Sequence, residues 1–288
     1  MYLKEKYPNI IRNKKEVMSD AKKLKKLIHK STSAIDKEVD KFMNGYVDIV
    51  LPYYIDNFYR GRIWNKDSYP MHIDELLCPP KNLIKDYGRL NTPNHQVLYL
   101  SESVQPIYKE IRAQDNDEII LLRIIPRLKS STLKVSSLII DNCSYNPLQL
   151  NPIKETLIKA VGYGEQYHSS IELRKQVGNI LSINTANSHI NIYKLTSAIG
   201  KNIFSNNSDG VLYSSIQTNK IFTNFATRPE IMNTHLQGHT VVKVKLNKWD
   251  KLSHNVTVIK NGIVKDDGTL LWDDSTTFEF PKGKIEKM

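Results

Sequence analysis

The chain is poor in cysteine: its 288 residues include two, Cys78 and Cys143. They have no CxxC spacing and no adjacent histidine pair, which leaves little support for a disulfide framework or a zinc site. Each reads as a small buried apolar residue rather than a nucleophile. Long apolar runs are missing as well. Ile119-Ile120-Leu121-Leu122 is typical of the longest, far short of a bilayer span. No charged-then-apolar leader opens the sequence, because Met1 to Lys30 is lysine-rich throughout, so a cytoplasmic protein with no membrane partner is expected. The phosphate loop G-x-x-x-x-G-K-[ST], the G-x-G-x-x-G fingerprint, H-E-x-x-H and the G-x-S-x-G elbow are all absent. Gly162-Tyr163-Gly164 lacks a third glycine and reads as a turn. His235 and His239 alone have ligand spacing among the histidines, and no nearby carboxylate completes a set, so no metal is expected.

What is abundant is positive charge. The chain carries 41 Lys and Arg against 30 Asp and Glu, a formal net charge of +11. Such an excess attracts polyanions: nucleic acid, an acidic partner or a phosphate-bearing small molecule. Much of it lies between Lys4 and Lys30. The hydrophobic share, 40%, is that of an ordinary globular protein with a sizeable core.

Val17, Ala21, Leu24 and Ile28 fall on one helical face, with lysines on the others. A second helix is expected from Ser33 to Met43, with Ser33 as its cap and Asp36 completing an imperfect capping box. Residues 1–52 thus read as a helical N-terminal extension, expected to dock on the main domain. From Tyr53 the texture turns to short strands parted by Pro, Gly and Asn. Strands are expected at Phe58–Trp64, Gln96–Ser101, Glu118–Ile125, Leu138–Ile140, Val211–Ile216, Val241–Leu246 and Val256–Val264, the last with a turn at Asn261-Gly262. A helical turn is expected at Ile107–Arg112, and helices at Asn151–Val161, His168–Leu181 and Tyr193–Phe204. Irregular strands with scattered helices argue for an α+β fold.

Four segments carry the candidate chemistry. In Phe58-Tyr59-Arg60-Gly61-Arg62, a strand would set both arginines on one face. Tyr87-Gly88-Arg89-Leu90-Asn91 follows Cys78-Pro79-Pro80 and precedes Val97-Leu98-Tyr99. Tyr108-Lys109-Glu110-Ile111-Arg112 is the third. Asp209-Gly210-Val211-Leu212-Tyr213-Ser214-Ser215, with Asn224 downstream, is the fourth. Taken in order, over about residues 53–235, they resemble the RES-domain family, named for its arginine, glutamate and serine.

The resemblance implies an ADP-ribosyltransferase-like split β-core with flanking helices, and a catalytic domain over residues 53–288. It implies an enzyme that breaks the nicotinamide–ribose bond of NAD⁺ by phosphorolysis or hydrolysis, often the toxin of a toxin–antitoxin pair held by a protein antitoxin. NAD⁺ is then the substrate and inorganic phosphate a possible co-substrate. The family arginine corresponds to Arg60 or Arg62, with Arg60 favoured because it follows the aromatic pair directly. Arg60, Arg62 and Arg89 suit the diphosphate, as planar donors of fixed charge. Glu110 suits the ribose hydroxyls and the positive charge that grows as nicotinamide leaves. Tyr99 would stack on nicotinamide or bond the ribose. Ser215 fits the Tyr-x-Ser spacing better than Ser214 and would position rather than attack; Tyr213 and Asn224 complete the set. Two rivals remain: ADP-ribose transfer to a macromolecule, and nucleic-acid binding. The latter leaves the spacing of Glu110 and the Tyr213-Ser214-Ser215 strand unexplained.

Overall fold

A computed structural model of the chain describes residues 12–46, 48, 50–54, 56–138, 150–183, 191–204, 208–215, 222–249, 254–273, 275 and 277–278. Its helices are α1 (Lys14–Lys26), α2 (Thr32–Met43), α3 (Gln105–Glu110), α4 (Leu150–Val161), α5 (Glu165–Leu181), α6 (Asn191–Phe204) and α7 (Ile231–Thr234). Its strands are β1 (Val50–Tyr54), β2 (Phe58–Ile63), β3 (Leu98–Ser101), β4 (Glu118–Pro126), β5 (Thr132–Ser137), β6 (Gly210–Ser214), β7 (Thr223–Thr227), β8 (Leu236–Trp249), β9 (His254–Val264) and β10 (Leu270–Trp272). Helices and strands are mixed, in keeping with the α+β expectation at that level. Among the described residues no helix is long and apolar enough to cross a membrane. The chain divides into two compact units built from interleaved segments: Met1–Tyr54, Pro80–Leu98 and Thr132–Arg228 in the first, Ile55–Pro79, Tyr99–Ser131 and Pro229–Met288 in the second.

The first unit holds strands β1, β5, β6 and β7. β1 runs antiparallel to β5, β5 parallel to β6, and β6 antiparallel to β7. The N-terminal helices belong to this unit, α1 packing on α5 and α2 on α6. α1 starts where Asn13 and Glu16 form a reciprocal capping box and buries Val17, Ala21 and Leu24. It stops at Lys26, so Ile28, expected on the same stripe, lies past its end. α2 is capped by Ser31, whose side chain accepts from the Ala34 amide, rather than by Ser33. Ser33 sits inside the first turn instead, because the chain becomes helical at Thr32. On α6 the stripe Leu195, Ile199 and Ile203 is fully buried. Gly162 and Gly164 adopt positive φ between α4 and α5, the expected turn.

The second unit carries β3, β2, β4, β8, β9 and β10, each antiparallel to the next in that order. Its core gathers Tyr59, Val104, Ile107, Tyr108, Ile119, Leu121, Val242 and Val244. Asn261 and Gly262 do not turn. They pair with Val242 and Val241 in the middle of β9. A Cβ on Gly262 would come within 2.8 Å of the Leu271 carbonyl, so this glycine serves the close approach of β10. Strands β1, β5, β7 and β10 were not anticipated. Of the strand expected at Leu138–Ile140, Leu138 follows the end of β5 and the rest lies outside the described residues, as does Ile216.

Candidate functional site

In the second unit, β2 presents two unlike faces. Gly61 turns toward α3, where a Cβ would stand 2.3 Å from Ile107 Cγ2 and 3.3 Å from Leu121 Cδ2. Only a residue without a side chain lets α3 lie this close. Arg60 and Arg62, one residue to either side, therefore project from the other face. There they meet backbone. Arg60 donates from Nε to the Leu76 carbonyl at 2.7 Å, from Nη1 to the Tyr99 carbonyl at 2.8 Å, and from Nη2 to the Leu77 carbonyl at 3.1 Å. Arg62 donates from Nε to the Leu76 carbonyl at 3.0 Å and from Nη2 to the Leu77 carbonyl. The paired guanidiniums thus clasp the 76–77 backbone.

Burial pushes the Arg60 guanidinium down to about 10, and neighbouring Arg62 acts in the same direction. Arg60 still carries its charge at neutral pH. Cys78 follows the clasped segment, and its thiol feels both arginines. Burial pushes the thiol up, and the two cations offset only part of that. Cys78 is a free thiol rather than a thiolate at neutral pH, which does not suit a nucleophile.

Glu110 is the last residue of α3 and is exposed. A carboxylate at a helix C-terminus faces the negative end of the helix dipole, so local helix stability does not explain it there. Tyr99 lies on β3, half-buried, and supplies the carbonyl that Arg60 Nη1 uses. The structure accordingly brings Arg60, Arg62 and Tyr99 together, while Glu110 comes from the helix on the opposite face of β2.

In the first unit, Tyr213 on β6 stands directly across from Asn224 on β7, and Ser214 across from Thr223. The ladder continues one step as the Ser215 amide donates to the Phe222 carbonyl at 2.8 Å. Alternation places Tyr213, Ser215 and Asn224 on one face and Ser214 on the other. Their relative exposures are 8%, 0% and 4%, so this is a buried polar row.

Arg89 is also in this unit. The Gly88 amide donates to the Asn91 carbonyl at 2.9 Å, closing the Gly88–Asn91 segment into a tight loop. Leu90 packs on α6 so closely that a Cβ on Gly200 would lie 2.9 Å from the Leu90 carbonyl. Arg89 then reaches the end of α5: Nη1 donates to the Leu181 carbonyl and, at 3.4 Å, to the Ile183 carbonyl. Its guanidinium also lies over the Tyr193 ring, 5.9 Å from the centroid. A cation at a helix C-terminus is a familiar stabilising contact.

All three arginines singled out by sequence therefore bond main-chain carbonyls. Sequence offered no sign of those partners, since a carbonyl leaves no trace in residue type. Among the described residues no group of three or more His, Cys, Asp or Glu could hold a metal ion. His235 ends α7 and His239 lies on β8, so their spacing is not a helical one. No protein-family model matches the chain, and neither the curated proteins nor the solved structures contain a match.

Proposed function

We propose that this protein consumes NAD⁺, breaking the bond between nicotinamide and ribose within an ADP-ribosyltransferase-like fold. The observation that carries this reading is the register of β6 and β7. Asn224, which the family pattern places only loosely downstream, sits opposite Tyr213 and on the face that Ser215 shares. A sequence pattern followed by chance has no reason to align on one sheet face.

In this reading the electron pair of the glycosidic bond leaves with nicotinamide, which departs as a neutral base. The ribose carbon gains oxocarbenium character, and an oxygen of phosphate or water bonds to it. Phosphate yields ADP-ribose 1″-phosphate; water yields ADP-ribose and a proton. Glu110 is the residue for the charged step: a carboxylate that holds ribose hydroxyls and offsets the growing positive charge. Its exposed place at the end of α3 leaves it accessible to a substrate. Ser215, Tyr213 and Asn224 offer fixed hydroxyl and amide groups that position, since no histidine is paired with Ser215 in sequence to activate it. Arg60 and Arg62 are assigned to shaping the 76–77 and Tyr99 backbone, with residual N–H groups for a phosphate oxygen. The same reading makes the protein a cytoplasmic toxin controlled by a protein antitoxin.

The test is incubation of the folded, inhibitor-free protein with NAD⁺, with and without inorganic phosphate, followed by chromatography of the products. Free nicotinamide is the expected result, and the sugar product identifies the acceptor. NAD⁺ intact under both conditions overturns the proposal. Label transferred to a macromolecule in place of small products reassigns the chain to ADP-ribose transfer.

A further inference from the structure

α1 carries two unlike faces. Val17, Ala21 and Leu24 are at most 2% exposed and form the buried stripe of a helix that packs on α5. On the opposite side Lys15, Lys22 and Lys26 follow one another at i, i+7 and i+11, a single line along the axis, with Lys25 beside it. All four lysines are exposed. At 1.5 Å of rise per residue the line is about 16 Å long.

Neighbouring charges do not answer this face. Glu16 and Asp20 are the acids of α1. Glu16 is taken up in the capping box with Asn13, and Asp20 pairs with Lys23 at 3.1 Å and with Arg12 at 3.5 Å. Glu172 on α5 pairs with Lys14 at 3.7 Å. Among the described residues, Lys15, Lys22, Lys25 and Lys26 have no ion-pair partner. In the rest of the first unit's sequence only Glu5 and Asp141 are acidic, too few to neutralise four lysines. Helix stability does not call for the arrangement either. The macrodipole favours Lys25 and Lys26 in the last turn but disfavours Lys15 in the first, and Lys22 with Lys26 is a like-charge i, i+4 pair.

We propose that the face of α1 carrying Lys15, Lys22, Lys25 and Lys26 docks on the phosphate backbone of double-stranded nucleic acid, without reading its sequence. The chemistry of the face selects this partner. A duplex presents a dense, regular row of phosphates, about one charge per 1.7 Å of axis, which point-charge ammonium groups meet without a fixed geometry. A protein partner calls for aromatic or arginine anchors, and α1 has neither. A bilayer calls for a free apolar face, and that of α1 is buried within its unit. Single strands are held by stacking on aromatic rings, which α1 also lacks. The docking is electrostatic, in keeping with the net charge of +11, and does not depend on the NAD⁺ reading.

The experiment is fluorescence anisotropy of a labelled DNA duplex of arbitrary sequence, titrated with the full chain between about 50 and 200 mM salt. Four phosphate contacts predict a logarithmic salt slope of about −3 to −4, and an affinity loss of about 100-fold across that range. The triple variant Lys15→Gln, Lys22→Gln, Lys26→Gln is expected to weaken binding at least ~10-fold at the lower salt and to flatten the slope to about −1. Its three sites are exposed, so its circular dichroism should match the wild type. A second triple variant, Lys129→Gln, Lys245→Gln, Lys265→Gln, removes the same charge from exposed sites of the second unit and is expected to keep the wild-type slope. Glu110→Gln is expected to bind as the wild type does whether or not the chain cleaves NAD⁺, which separates the two proposals. No binding at the lower salt, or an equal loss in the second-unit variant, overturns the site. Tighter binding of a single strand, of polyglutamate or of anionic vesicles than of the duplex also overturns it, by reassigning the face to that partner.

Discussion

The Arg60 Nη1 donates to the backbone carbonyl of Tyr99 at 2.8 Å, which ties β2 to a residue of β3 through a side chain rather than through the ladder alone. Together with the bonds to Leu76 and Leu77 it fixes three carbonyls from two parts of the second unit. Arg60→Lys keeps a charge but offers one point donor in place of a fork. We expect it to destabilise the protein by about 1–3 kcal/mol through unpaired carbonyls. Arg62→Lys, which leaves all of Arg60's bonds in place, should cost less. Urea unfolding of both variants checks the order, and equal costs would show that the clasp is shared rather than centred on Arg60.

Gly61 provides a sharper steric test. A methyl group there would stand 2.3 Å from Ile107 Cγ2 inside a packed core. Gly61→Ala is expected to destabilise by about 1–3 kcal/mol by lifting α3 from β2. Adding Ile107→Ala removes the obstructing group, and the double variant should be more stable than the sum of the single effects predicts. Strict additivity in unfolding experiments would mean that the contact is not what excludes a side chain.

Cys78 gives a pH prediction. Alkylation proceeds through the thiolate, and a thiol pushed upward by burial holds less thiolate at pH 7–8 than a free cysteine. In a Cys143→Ser background the alkylation rate should therefore be slow at neutral pH and still rising beyond pH 9. Arg62→Met removes one of the cations that pull the thiol back down, which should slow the reaction further. Rapid labelling at pH 7, or faster labelling in Arg62→Met, would contradict this electrostatic account.

Lys243 is 3% exposed and makes three contacts: Glu118 at 2.6 Å, the Lys66 carbonyl at 2.8 Å and the Tyr69 ring at 5.1 Å. Glu118→Gln strips the counter-charge and leaves the cation buried, whereas Lys243→Met removes the cation and fills the space. Glu118→Gln should therefore be the more destabilising of the two, by chemical denaturation. The reverse order would mean that the Lys66 and Tyr69 contacts outweigh the ion pair.

These cases also show what sequence can and cannot reveal. β2, β4, α3 and β6 were legible because alternation, aromatic and β-branched content and helical period all agreed over their length. β1, β7 and β10 are short, and β1 carries Pro52, so pairing rather than propensity makes them strands. Asn261-Gly262 has turn chemistry, yet the pairing of β9 with β8 and β10 overrides it. For the candidate residues, the shared face of Arg60 and Arg62 was readable from alternation alone. Their carbonyl partners were not, and neither was the arrival of Arg89 at the end of α5, since backbone acceptors leave no residue signature. The burial of Arg174 is not legible either, because one arginine in a mixed helix reads as solvated.

The most direct test of the NAD⁺ reading pairs activity with stability in Glu110→Gln. Glu110→Gln keeps the size and hydrogen-bonding reach of the side chain, and the charge it removes opposes the helix dipole at the exposed C-terminus of α3, so the variant is expected to stay folded. The account predicts that the variant still unfolds in one cooperative transition while nicotinamide release from NAD⁺ falls to background. Wild-type rates of release from a folded Glu110→Gln protein would contradict it.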